Sequence, residues 1–328
     1  MPVDPSHIPG FKGRLSPRFY TSLLKVLNLI SHSGKDSDIL KPLLAIDQLL
    51  TGLENITLQY LLGSVGIPGA SYEDNAQLVE EWFCQLGLDS EQDQRQMATR
   101  EIVTWVGDQL TVDCLRGLFK FRAEDKNSYE RLDFVVLMFG WFHLQMAYVS
   151  SLHKQYFGTT QSCGLQQAFL LLEKKGLTKP QVKGPFHHDL HDLEEALYHV
   201  AKAHIHVDWL ELRKVKQLSD LQKQSPKDLL KLAEKIVEQR ASSEAMDLLD
   251  AKRENQQDEE FQQVIMWNRN MLQYIVLNQA IQNGDVGLME DMLPHLLFQF
   301  LGGGNGKYAG EVLELLQALH WELPVEVV

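Results

Sequence analysis

Two groups of residues in this sequence have types and spacings that could do chemistry. The first is Gly107-Asp108-Gln109-Leu110-Thr111, where an apolar run ends in a glycine and an aspartate. A strand end holds a carboxylate rigidly and leaves it exposed, which metal-dependent phosphoryl chemistry requires. Asp108 is therefore the candidate catalytic residue, and a candidate ligand for Mg²⁺ or Mn²⁺ if the chain is an enzyme. It also stands just ahead of a periodic apolar run, where an aspartate serves as a helix N-cap. The second group is a concentration of histidine: His187, His188, His191, His199, His204 and His206. On a helix, His191, Glu195 and His199 fall at i, i+4 and i+8, a spacing that could form a metal-ligand face. Leu190, Leu193, Leu197, Val200 and His204 form the apolar side of the same helix. At about 100° per residue the trio lies opposite them, toward solvent, where it equally reads as a polar face. His204 reads as a core or boundary histidine.

A third motif falls short. Gly302 to Lys307 (GGGNGK) approximates a phosphate-binding loop. Leu301 occupies the first glycine position, however, Tyr308 stands where Ser or Thr is required, and the preceding segment reads as helix. A flexible connection between helices accounts for it. Cys84, Cys114 and Cys163 are widely spaced, with no Cys-x-x-Cys pair and no evident base partner. They predict no disulfide framework and fit a reducing intracellular compartment, nuclear or cytoplasmic.

The elements that must position these residues are mostly helices. Ser71 with Asp74 forms a capping box ahead of the stripe Leu78, Val79, Trp82, Phe83 and Leu86, which Gly87 stops. Glu101 to Gly107 reads as a strand, followed by helix over Leu110 to Phe119. Leu132 to Phe139 (LDFVVLMF) reads as a second strand covered on both faces and paired in parallel with the first. Trp141 to Tyr156 is helical, and everything after Ser162 follows suit. Predicted helices there are Leu165 to Lys175, Leu190 to Ile205, one capped by Ser225-Pro226, Glu259 to Gln282, Val286 to Phe300 and Lys307 to His320. Ala241 to Asp258 is polar and reads as an exposed hairpin or connection. The expected fold is mostly α, with a small β element surrounded by helices. It divides into an N-terminal helical and loop segment (1–70), an α/β core with two strand–helix units (71–210) and a C-terminal helical region (211–328).

Charge argues against nucleic acid as the default partner. Asp and Glu outnumber Lys and Arg by 44 to 31, a net charge of −13. Such a surface repels phosphate backbones, so strong DNA binding is not expected. The only basic clusters are Lys174, Lys175, Lys179 and Lys183, and Arg213, Lys214, Lys216 and Lys223. No apolar run reaches the about 18 residues of a membrane span, and Met1 to Gly10 lacks the apolar core of a signal peptide.

Several runs resemble blocks of an uncharacterised fungal family, a domain of unknown function. They are Trp105 to Gly117 (WVGDQLTVDCLRG), Gly140 to Met146 (GWFHLQM), Leu152 to Gly158 (LHKQYFG), Lys183 to His188 (KGPFHH), Ala280 to Gly287 (AIQNGDVG) and Lys307-Tyr308-Ala309. Their order is the family's, and together they cover about Val103 to Pro324. The resemblance implies descent from transposase-like mobile elements and a ribonuclease-H-like sheet, here incomplete. In such folds a first aspartate sits on an early strand, a second near the end of a later strand, and a third carboxylate on a helix, with two metal ions between them. Asp108 matches the second position. Residues 1–100 carry no strand with the first aspartate, so the N-terminal part of the family domain is expected to be missing. The resemblance therefore implies an inactive fragment of a transposase-like protein with no cofactor. The alternatives are a metal-dependent nuclease or strand-transfer enzyme using Asp108, and a helical protein-interaction module.

Overall fold

A computed structural model describes residues 17–23, 44–158, 164–176 and 186–322. Cys163, Lys179 and Lys183 lie outside the described residues. The chain is mostly helical, with two strands in one small parallel sheet. Two compact units form, neither continuous in sequence: one from residues 1–49 and 146–306, the other from 50–145 and 307–328. Among the described residues no helix is long and apolar enough to cross a membrane.

The smaller unit is built on a strand–helix–strand repeat. Helix α2 (Tyr72–Gln85) opens with the capping box expected of Ser71 and Asp74. Helix α3 (Glu91–Arg100) leads into β1 (Val103–Gly107), α4 (Gln109–Phe121) follows, and the short α5 (Ser128–Arg131) precedes β2 (Val135–Phe139). The strands pair in parallel as expected, Val103 opposite Val135 and Gly107 opposite Phe139. One face of this sheet meets α2 and α4. Val79, Phe83, Met97, Leu115, Leu118, Leu132, Phe134 and Val135 form its buried core, with Trp105 and Leu137 packed against them. Trp105 lies with its ring 5.1 Å from that of Trp82. On α4, Arg116 donates two hydrogen bonds of 2.8 Å to the buried Glu311 of α13 (Gly306–Gln317). Such a forked pair fixes orientation as well as distance.

The second strand differs from its expectation in two respects. It begins at Val135 rather than Leu132, because Leu132 turns into the left-handed region at φ 59° as the C-cap of α5. Nor is it covered on both faces. Thr104 and Val106, on the other face of β1, are exposed, and Val136 and Met138 beside them are only half-buried. The continuous apolar run hides this, because side chains alternate between the faces along a strand.

The larger unit gathers around α11 (Glu259–Asn283), which touches α8 (Phe186–Arg213), α9 (Pro226–Arg240), α10 (Ser243–Asp250) and α12 (Val286–Gly302). Residues 146–156 of α6 (Trp141–Tyr156) and α7 (Leu165–Lys174) complete its longer helices, and the helical stretch 17–23 (α1) adds buried Phe19 and Leu23. Eleven of the residues from Ile265 to Leu277 in α11 are buried, on every side of the helix. A helix surrounded in this way has no solvent stripe. Ala241 to Asp258 is not an exposed connection, for α10 lies within it and buries Ala245 and Leu249 against Ile265. Gly284 ends α11 in the left-handed conformation, at φ 65°. Asp285 then caps α12 and is buried. It accepts from Leu288 N–H and Ile46 N–H, at 3.2 and 2.9 Å, and pairs with Arg18 at 3.2 Å.

The two faces of β2 yield a prediction. Val135→Asp places a charge among the buried aromatic rings and is expected to cost at least about 3 kcal/mol, enough to unfold the smaller unit. Val136→Asp, on the opposite face, is expected to stay folded. Circular dichroism melts of both variants check this, and equal losses would mean that the second face is covered too.

Candidate functional site

Asp108 stands where β1 hands over to α4. Its backbone is extended, and its side-chain Oδ1 accepts a hydrogen bond of 2.8 Å from Thr111 N–H. One carboxylate oxygen is thus engaged in satisfying an open donor of the first helical turn. Asp108 is half-buried. Tyr308 on α13 feels its charge: burial pushes that phenol up, and the carboxylates of Asp108 and Glu311 push it further. Burial, then Asp113 and Asp108, push the Cys114 thiol up, while Lys307 opposes them. This end of the sheet therefore holds a carboxylate, a phenol and an ammonium group, with the thiol kept protonated. Among the described residues no three of His, Cys, Asp and Glu come together as a group able to hold a metal ion. A Mg²⁺ or Mn²⁺ ion at Asp108 would take its other ligands from water or substrate.

The α8 trio lies in the larger unit. His191 and Glu195 are exposed and His199 is half-buried, opposite the buried Leu193, Leu197 and Val200. His199 Nε2 comes within 3.7 Å of Glu195 Oε1 across one turn, an exposed i, i+4 pair of small energetic weight. The neighbouring carboxylate is the one held tightly. Glu194 Oε1 accepts from Tyr274 O–H at 2.8 Å and from Asn278 Nδ2 at 3.1 Å.

The glycine-rich run has a structural explanation. Gly303 ends α12 against α6, and a Cβ there would overlap the Ser151 hydroxyl. Asn305 then donates its side-chain amide to Ala147 O at 3.1 Å. Gly303 thus leaves room for the Ser151 side chain against the end of α12, with no need of a phosphate.

Sequence reasoning missed a polar system along α11. Asn270 Nδ2 donates to Tyr156 O–H at 2.8 Å, and Tyr148 O–H donates to Asn270 O at 3.1 Å. Gln273 Nε2 meets His295 Nδ1 at 3.2 Å. One helical turn back, Asn268 Nδ2 donates to Asp208 Oδ2 at 2.9 Å and to Arg240 O at 3.2 Å. Burial disfavours the charged form of these groups. It pushes Tyr156 and Tyr198 up to about 12, lowers His204, and lowers His295 to about 4, with Arg269 adding to the last. Burial pushes Asp208 up to about 7, against the pull of Arg240. The available signal was compositional, since WNRNMLQYIVLNQ interleaves five amide side chains with large apolar ones.

Asp208 makes the larger unit sensitive to pH. Between its ordinary value of 3.8 and about 7, the folded chain keeps a proton that the unfolded chain releases. Its contribution is full below about pH 4 and is lost as pH rises through 7, up to about 4 kcal/mol. The depressed histidines act in the opposite sense, as their stabilisation is present above the unfolded pKa and is lost as pH falls. Comparison with Asp208→Asn isolates the carboxyl. Relative to that variant, the wild-type melting temperature is expected to fall between pH 4 and pH 7, and a constant difference over that interval would contradict the assignment.

A family model described as a family of unknown function (DUF6589) matches residues 9–328. No curated protein and no solved structure matches the chain.

Proposed function

The chain belongs to the DUF6589 family, and from its own geometry we propose that it works by protein association rather than by cutting or joining nucleic acid. It would descend from a fungal transposase-like protein whose strand–helix–strand core it keeps and whose catalysis it has lost. The observation that carries this reading is the uncovered apolar surface of the smaller unit. Leu53, Ile56, Leu58, Tyr60 and Leu61 are each more than 60% exposed in one short stretch. Large contiguous apolar surface on a folded unit marks an interaction site. The engagement of Asp108 with Thr111 N–H supports the loss of catalysis. So does the net charge of −13, which gives little counterion release on DNA. Three scattered cysteines fit a nuclear or cytoplasmic site of action.

A second reading keeps catalysis. In it Asp108 binds Mg²⁺ or Mn²⁺ at the end of β1. What favours it is the half-buried carboxylate at the strand end, close enough to Tyr308 to raise its phenol.

Titration calorimetry separates the two readings. Wild type and Asp108→Asn are both expected to take up neither Mg²⁺ nor Mn²⁺, and their melting temperatures should agree, because Asn caps a helix about as well as Asp. Metal uptake by the wild type that the variant loses would establish the catalytic reading. A fluorescence anisotropy titration with random-sequence duplex DNA at about 150 mM salt is expected to give a Kd weaker than about 1 μM. Tighter binding would remove the charge argument, and with it the preference for association.

A further inference from the structure

We propose that residues 56–62 form an arm that adds as a third strand to the open edge of β1 in a second copy of this chain, producing a strand-exchanged dimer. The proposal rests on the association reading and names its partner. The arm, Ile56-Thr57-Leu58-Gln59-Tyr60-Leu61-Leu62, has the period-two pattern of a strand, with Ile56, Leu58, Tyr60 and Leu62 on one side. All seven residues are exposed, and Leu61 fully so. Among the described residues no strand pairs with them. The chain behind the arm is anchored. Gly63 N–H donates to Gln85 Oε1 at 2.6 Å near the end of α2, and Asn75 Nδ2 donates to Gly69 O at 2.9 Å near its beginning. Residues 63–69 thus run back along α2, and the arm begins beyond its last turn.

The receiving edge lies in the same unit. Val103 N–H donates to Phe134 O, and Gly140 N–H to Gly107 O. These two bonds fix the phase of the ladder: Val103, Trp105 and Gly107 turn their backbone groups toward β2, so Thr104 and Val106 turn theirs outward. Both of those residues are exposed, Val106 at 60%. Natural edge strands are commonly protected by lysine, proline or an inward charge. Neither β1 (VTWVG) nor the arm (ITLQYLL) carries a charge or a proline. In a chain of net charge −13, two copies repel over most of their surface, and a neutral strip is where they can meet. Seven residues at about 3.3 Å each are long enough to span the five of β1. Every copy carries both arm and edge, so reciprocal exchange closes with two-fold symmetry and leaves no strip unsatisfied.

Light scattering on the full chain tests this with two variants. Val106→Pro removes an outward edge donor while leaving the β1–β2 bonds intact. Tyr60→Asp alters only the exposed arm and cannot disturb the core. The wild type is expected to be a dimer, and each variant a monomer with the wild-type circular dichroism spectrum. An equimolar mixture of the two is expected to recover a dimer, because one intact arm then meets one intact edge. A monomeric wild type would overturn the proposal, as would a dimer that both variants retain. A monomer whose arm amides resist hydrogen exchange would also overturn it, since the arm would then be folded on its own sheet. Failure here is separable from failure of the association reading. A monomer that takes up no Mg²⁺ leaves association with another protein standing, whereas a dimer that takes up Mg²⁺ through Asp108 sinks the non-catalytic reading and keeps the exchange.

Discussion

A helix enclosed on every side must satisfy each polar side chain it carries without help from solvent, and the larger unit depends on how α11 meets that constraint. Asn268, Asn270 and Gln273 are buried, and each finds a partner on another element or on a neighbouring backbone. Leaving one such group unpaired costs about 1–3 kcal/mol, so the positions of Tyr148, Tyr156, Asp208 and His295 follow from it. A buried network of this kind stabilises less than apolar packing of the same volume would. What it does is restrict the surrounding helices to arrangements that bring a partner to each of Asn268, Asn270 and Gln273. The raised phenols and depressed imidazoles express the same constraint, for a charge anywhere in this interior would lack the water that ordinarily supports it.

The smaller unit solves a different problem. Two strands make a weak sheet, which must lean on something else to persist. Phe83, Tyr129, Phe134 and Trp105 provide that support on one face, their ring centroids 5.6–6.4 Å apart where they meet. The other face and the outer edge of β1 have no such support among the described residues. The unit is therefore asymmetric, with tight aromatic packing on one side and uncovered backbone and apolar surface on the other.

What was legible in the sequence follows from how local each signal is. The Ser71–Asp74 box, the N-cap at Ser225 and the parallel pairing of the strands all depend on a few neighbouring residues, and they stand where they were expected. Asp108 was legible as a cap for the same reason. The exposed second face of β2 was not, since a run of apolar residues says nothing about what lies opposite each of them. Nor was α10, whose eight residues bury only two apolar side chains. The α11 network was illegible as a site because its partners are recruited from far along the chain: Tyr148 is 122 positions from Asn270, and Asp208 is 60 from Asn268. The α8 trio illustrates the converse: a regular local spacing, of which the structure pairs Glu195 with His199 across one turn.

The Arg116–Glu311 fork joins residues 195 positions apart. A ribosome elongating at about 5–20 residues per second needs about 10–40 s between making the two partners. Through that interval α4 is made but the carboxylate that neutralises its guanidinium is not. The nascent chain thus passes through a period in which its smaller unit is incomplete and its least protected surface is available to neighbours on the same messenger. Completion of the smaller unit waits on α13, a delay set by the order of the helices rather than by their strength.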